Sequence, residues 1–291
     1  MKKLISLFLG VSVLLLAACS KQPDTASSEQ KNDAAGLQTV VIASTGSDAD
    51  IWRHIASLPE TKAAGIKLEV KNFTDYVAMN TAVANKEVDL NAFQSYAYLV
   101  AFNAANKDKI APVSTTYLEP MGIYSNKVKK VEEFAQGATI AIPNDGANES
   151  RALLLLQSAG LIKLKPDFDP VKGTPADIIE NSKKIVIKPI QMATAVRVKD
   201  EVDAILLGNT LAMEGGLNVL KDAIFYEPID QSTKLNINIL ATAESRKDDP
   251  VLQKVGALYH TEAVKQYVQE HFAGTKVDVN KPTSYLTEAN P

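Results

Sequence analysis

From Leu37 onward, short β-branched runs alternate with helical patterns, the runs are apolar almost throughout, and two proline-containing extended stretches flank residues 123–225. The first two observations predict an α/β fold with helices over both faces of the sheet. The third predicts two such lobes, joined by two crossover strands and enclosing a cleft, an architecture that can close about a hinge. The alternative is one continuous doubly wound sheet. Size permits either, since 291 residues, 46% of them hydrophobic and 22% charged, can bury one large core or two smaller ones.

Strands are predicted at 39–43 (TVVIA), 67–71 (KLEVK), 88–91, 111–116, 138–143 (ATIAIP), 184–189 (KIVIKP), 203–207 (DAILL), 223–226 and 236–241 (NINILA), where β-branched runs are bounded by turn formers. Helices are predicted between them at 49–64, 75–86, 94–105, 130–135, 148–159, 175–181, 191–198, 209–214, 248–257 and 261–272. The crossovers fall at 117–122 (YLEPMG) and 226–228 (YEP). This divides the folded part into a first lobe of 37–120 plus 227–291 and a second lobe of 121–226. No repeat of 20–50 residues is visible.

The N-terminus reads as an export signal. Met1-Lys2-Lys3 is a basic start, and the apolar stretch from Leu4 to Leu16 is too short to anchor in a bilayer. It ends in Leu16-Ala17-Ala18-Cys19, a bacterial lipobox pattern that predicts a signal peptide over 1–18, cleavage before Cys19, and lipidation of that cysteine. The alternative is an ordinary signal peptide with an incidental cysteine. Cleavage removes 18 residues and two lysines, so the net charge moves from −3 to −5. Residues 19–36 then form the lipidated cysteine and a polar tether whose composition cannot offset the entropy of ordering. The expected location is the cell envelope, lipid-anchored to a bacterial membrane, with the globular part periplasmic or extracytoplasmic.

Composition narrows the function. The acidic balance speaks against nucleic acid as a partner. One cysteine excludes an intramolecular disulfide and a Cys-rich zinc site, and having only three histidines (His54, His260, His271) speaks against a histidine metal cluster. Phosphate-loop, dinucleotide, nucleophile-elbow and zinc-helix motifs are all missing from the sequence, so neither a cofactor nor catalysis is expected. His54, beside Trp52 in an apolar helix, reads as a packed or surface histidine rather than a general base.

The segment Ile142-Pro143-Asn144-Asp145-Gly146-Ala147-Asn148-Glu149-Ser150-Arg151 ends a strand and starts a helix, with Asn148 as N-cap and Gly160 as terminator. Arg151 then falls in the first turn, where a cation opposes the helix dipole. That placement makes sense if the guanidinium and the free N–H groups meet one anion such as a carboxylate; the alternative is an exposed arginine. Asn209 follows strand DAILL at its carboxyl end, where α/β ligand sites gather, and Asn238 shares a strand face with Asn236. Tyr76, with Phe73, and Phe93, with Tyr96 and Tyr98, could wall an apolar pocket or belong to the core.

The segments FTDYVAMN, VDLNAFQSYAYL, LEPMGIYS, IAIPND-x-x-NE-x-RALLLLQ-x-AGLI and DAILLGN-x-x-A resemble the NlpA family of substrate-binding lipoproteins, over essentially all of the chain beyond the tether. The resemblance implies a type II-like periplasmic-binding-protein fold that holds an amino acid, usually methionine, between its lobes. It also implies delivery of the ligand to an ABC permease with a separate ATPase subunit. By the same resemblance Arg151 holds the ligand carboxylate, Asn209 and Asn238 contribute amides, and Tyr76 and Phe93 surround the side chain. Ala92 and Ser95 stand where the family has an aromatic residue and a histidine, and Thr210 and Asn236 replace aromatics, so the pocket is more polar; Asn148 completes the candidate set. The expected partners are an amino-acid ligand, the permease with its ATPase, and a membrane through lipid, the protein itself being a monomer. The rival readings are a receptor for another amino acid, a dipeptide or a metal chelate, and a surface lipoprotein with an adhesin or assembly role.

Overall fold

The structure, a computed structural model, describes residues 36–229 and 231–288. The signal peptide, Cys19 and the tether expected up to residue 35 lie outside the described residues. In chain order, β1 (Gln38–Ser44), α1 (Gly46–Ser57), α2 (Pro59–Ala63), β2 (Ile66–Asn72), α3 (Tyr76–Ala84), β3 (Leu90–Ser95), α4 (Tyr96–Ala105), β4 (Ile110–Thr115) and β5 (Tyr117–Leu118) come first. Next are β6 (Met121–Tyr124), β7 (Thr139–Pro143), α5 (Gly146–Ser158), β8 (Lys163–Leu164), β9 (Ile178–Glu180), β10 (Val186–Ile190), β11 (Ala204–Gly208), α6 (Asn209–Glu214), α7 (Val219–Asp222) and β12 (Phe225–Tyr226). They are followed by β13 (Asn238–Ala243), α8 (Pro250–Tyr259), α9 (Glu262–Phe272) and β14 (Val277–Asp278).

Two five-stranded sheets organise these elements. The first has the order β2-β1-β3-β13-β4, with β1, β2 and β3 parallel and β13 antiparallel to both of its neighbours. The second has the order β10-β7-β11-β6-β12, parallel through β11 and antiparallel beyond it. Alternation along β1 shows how the first is buried: Val40 and Ile42 pack with α1, α8 and α9, while Ala43 packs with α3 and α4 on the opposite face. In the second sheet Ile140 and Ile142 meet α5, and Ala141 with Leu207 meets α6 and α7. Each sheet is thus covered on both faces at its centre, which is why strands such as β7 and β11 are buried and apolar along almost all of their length, while the edge strand β2 alternates with exposed Lys67, Glu69 and Lys71.

The chain passes from the first sheet to the second at Glu119-Pro120 and returns after Tyr226. The stretch 117–122 is more than a connector, because β5 pairs with β14 and β6 enters the second sheet. Other departures have local causes. The helix expected over 49–64 is two helices, because Leu58, preceding Pro59, is extended (ψ 141°) and Pro59 has no N–H to continue the ladder. Asp145, not Asn148, caps α5, accepting from the Asn148 N–H at 3.1 Å, so the helix starts at Gly146 and Arg151 lies beyond the first turn. The helix expected at 175–181 is a 3-10 turn followed by β9. The last strand of the first sheet starts at Asn238, so Asn236 is not on it and shares no strand face with Asn238.

Candidate functional site

A cleft lies between the two sheets, at the carboxyl ends of β1, β3 and β11 and beside the start of α5. Thr45, Phe93, Ser95 and Gly208 reach it from those strand ends, and Asn148 and Arg151 from α5. Across it, Ala97 and Tyr98 of α4 pack with Ala147 of α5 and with Val171, an apolar contact between elements of the two sheets.

One wall is aromatic. Tyr76 opens α3, whose cap Asp75 accepts from the Ala78 N–H at 2.8 Å, and Tyr98 lies in the first turn of α4, whose cap is Ser95. The Tyr76 and Phe93 ring centroids are 5.1 Å apart, Tyr98 stands edge-on to Phe93 at 5.8 Å, and all three rings line the cleft. Behind Phe93, Asn80, Asn91 and Gln94 hydrogen-bond one another at 2.7–2.9 Å, a buried amide cluster that holds the end of β3.

The opposite side carries charge. The Arg151 guanidinium donates from Nε and Nη2 to the Glu227 carboxylate at 2.8 and 2.5 Å, and from Nη2 to the Glu119 carbonyl at 2.8 Å. Its Nη1 has no hydrogen bond to the described residues. Burial works against the guanidinium, yet Glu227 and Glu119 outweigh it and raise its pKa.

Lys276 forms a second buried centre. Its Nζ donates to Glu119 Oε2 at 2.7 Å, Asp48 Oδ1 at 2.9 Å and Thr210 Oγ1 at 2.9 Å, and sits 3.9 Å from the centre of the Tyr117 ring. Glu119 also accepts from Thr210 Oγ1 at 3.0 Å and from Asn209 Nδ2 at 3.1 Å. Burial alone would raise Glu119; Lys276 and these donors hold it below the ordinary carboxylate range instead. Asp48 moves the other way, pushed up by burial and by Glu119 against the pull of Lys276.

The structure brings Arg151, Asn238, Tyr76, Phe93, Ser95 and Asn148 together on the cleft. The Asn238 side-chain amide has no hydrogen-bond partner among the described residues, while Asn148 Nδ2 donates to Asp145 Oδ1 at 2.9 Å. Asn209 lies behind the lining, fully buried, donating to Glu119 and at 3.0 Å to Thr275 Oγ1. Ala92 is also off the cleft. Alternation along β3 turns it to the core with Val40, Ile42 and Leu90, and its carbonyl accepts from Ser44 Oγ at 2.6 Å. Asn236 points at Glu227, 3.4 Å away, from outside the strand.

Sequence reasoning passed over Asp48, Glu119, Glu227 and Lys276. A signal for two of them was present: each crossover carries a glutamate directly before a proline, Glu119-Pro120 and Glu227-Pro228. A residue before proline is held extended, which fixes where its side chain projects. Lys276 and Asp48 had no such mark, because only tertiary packing joins positions 228 apart.

Comparison with known proteins places these features in context. A sequence model of the family described as NlpA lipoprotein matches residues 40–280. A Pasteurella multocida protein named as a probable D-methionine-binding lipoprotein MetQ is 35% identical over 272 residues, 94% of this chain and 96% of the relative. The structure of a nutrient-binding protein from Burkholderia cenocepacia bound to methionine is similar with a TM-score of 0.76 and 34% identity, covering 82% of this chain and 99% of that one. The substrate-binding protein of a methionine transporter from Streptococcus pneumoniae is similar with a TM-score of 0.75 and 38% identity, covering 83% and 95%.

Proposed function

Because this chain belongs to the NlpA lipoprotein family, we propose that it is the substrate-binding lipoprotein of an ABC importer, binding methionine or a closely related amino acid. The cleft carries this reading: an aromatic wall of Tyr76, Phe93 and Tyr98 lies in the same cavity as the Arg151 guanidinium, whose Nη1 is left without a partner among the described residues. The amino acid's carboxylate meets Nη1, and Asn238 supplies an amide. The side chain lies along the rings, where a thioether gains sulfur–aromatic contact. Asn209, Ser95 and Asn148 shape the surroundings rather than the chemistry, and the protein performs none of its own.

In this reading residues 37–120 plus 227–291 and residues 121–226 are the two lobes, and they hinge at the two Glu-Pro crossovers. Residues 1–18 are the signal peptide, Cys19 carries the lipid, and residues up to 36 are the tether. The closed, monomeric receptor presents its ligand at a bacterial membrane to a permease driven by a separate ATPase. Native mass spectrometry of the chain purified without unfolding tests this. An adduct with the mass of methionine or a related amino acid, released on unfolding, supports the proposal. A ligand-free mass, together with no rise in Tm across the twenty standard amino acids, overturns it.

A further inference from the structure

Asp48 is the buried carboxylate of the cleft whose hydrogen bonding is unfinished. It is 3% exposed, lines the cleft, and sits in the first turn of α1. Both of its bonds go to one oxygen: the Tyr117 hydroxyl donates to Oδ1 at 2.8 Å and Lys276 Nζ donates to Oδ1 at 2.9 Å. Oδ2 has no hydrogen bond to the described residues. Glu119 and Glu227 differ, since each of their oxygens already accepts from a neighbouring side chain. The buried set also lacks a cation, with Arg151 and Lys276 facing the three carboxylates of Asp48, Glu119 and Glu227. A buried carboxylate short of a counter-charge is costly, and the one with the open oxygen is Asp48.

We infer that Asp48 is the ammonium acceptor of the cleft, so that a ligand must bring a protonated amine to Asp48 Oδ2. This rests on the amino-acid reading of the same site and adds a residue that selects among ligands. A bound ammonium supplies the missing positive charge and the missing donor together. Burial pushes the Asp48 carboxyl up, and a cation at Oδ2 opposes that push. The surroundings reinforce the preference. Burial raises the Tyr76 phenol, and the negative charges of Glu214, Asp48 and Asp145 act on it in the same direction, so the aromatic wall stands in an acidic field. A ligand whose amine is acylated or absent leaves Oδ2 buried and unpaired.

The test is titration calorimetry of the ligand-stripped chain. The tightest-binding of the twenty standard amino acids is compared with its N-acetyl and des-amino forms, on wild type and on Asp48→Asn. On wild type the amino acid is expected to bind about 30-fold or more tighter than either analogue. In Asp48→Asn the amino acid is expected to lose most of that advantage, while the analogues change by less than about threefold. The wild-type series stands without the variant, and thermal unfolding of ligand-free Asp48→Asn shows whether it folds. Analogues that bind wild type as well as the amino acid overturn the inference, as does a variant that weakens all three ligands equally. If no amino acid binds, the amino-acid reading falls and takes the inference with it; if amino acids bind regardless of their amine, only the role of Asp48 falls.

Discussion

Arg151 on α5 and Glu227 on the returning crossover, 76 positions apart, are joined by a two-nitrogen salt bridge with both side chains about nine-tenths buried. The arginine at the cleft is therefore held in place by both crossovers, through the Glu227 carboxylate and the Glu119 carbonyl, and its Nη1 has no hydrogen bond to the described residues. Removing it leaves Glu227 buried without its cation. Arg151→Ala is expected to lower the unfolding free energy by about 3–5 kcal/mol, measured by urea titration. Arg151→Lys recovers only part of this, because an ammonium cannot reproduce the fork. A loss below about 1 kcal/mol would mean that the pair contributes little.

Lys276 is shared by Asp48 and Glu119 from a fully buried position. Lys276→Met is expected to cost about 3–5 kcal/mol near pH 7, since two carboxylates lose their common cation. The penalty shrinks as pH falls, because both carboxylates are then protonated in the folded state. Adding Glu119→Gln to Lys276→Met recovers part of the loss, and equal stability of the single and double variants would contradict the arrangement.

Gly46 has φ +46°, and a Cβ there would run into the Glu214 carboxylate of α6, which accepts from the Ser47 N–H at the start of α1. This contact joins elements of the two sheets. Gly46→Ala is expected to weaken ligand binding by holding α1 and α6 apart, and the added change Glu214→Ala restores part of the affinity. A double variant no tighter than the single one would remove Glu214 from the explanation.

Asp203 accepts from the Thr139 N–H at 2.7 Å and from Lys127 Nζ at 3.0 Å, which hold its carboxyl below the ordinary range. A carboxyl depressed in the folded state adds stability that is present above its unfolded value, about 3.9, and is lost as pH falls through the folded value. Stability measured from pH 6 to pH 2 is thus expected to fall less steeply for Asp203→Asn than for wild type. Parallel curves would contradict this.

Ala92 faces the core with 5% exposure. Ala92→Tyr is expected to destabilise by about 1–3 kcal/mol or more through overpacking, without adding a ring to the cleft. A stable variant with tighter ligand binding would place position 92 at the site after all.

Periodicity and turn residues carried much of the fold, because strands covered on both faces must be apolar and their helices amphipathic. Boundaries slipped where side chains rather than patterns decide them, as when Asp145 rather than Asn148 took the α5 cap. At the cleft, Tyr76 and Asn238 were legible because each opens an element, and Arg151 and Phe93 because the first half of α5 and the second half of β3 face the cleft. Ala92 misled because strand alternation separates it from its neighbour Phe93. Lys276 was invisible because a buried lysine is identified by partners far away in sequence, here Asp48 and Glu119.

The central claim is that an amino acid lies between the two sheets with its side chain against Tyr76, Phe93 and Tyr98. Titration calorimetry of methionine into ligand-stripped wild type and Tyr98→Ala tests it most directly. The account predicts one site per chain on wild type and an affinity about tenfold or more weaker in a variant of unchanged fold. Equal affinities for the two proteins would contradict it.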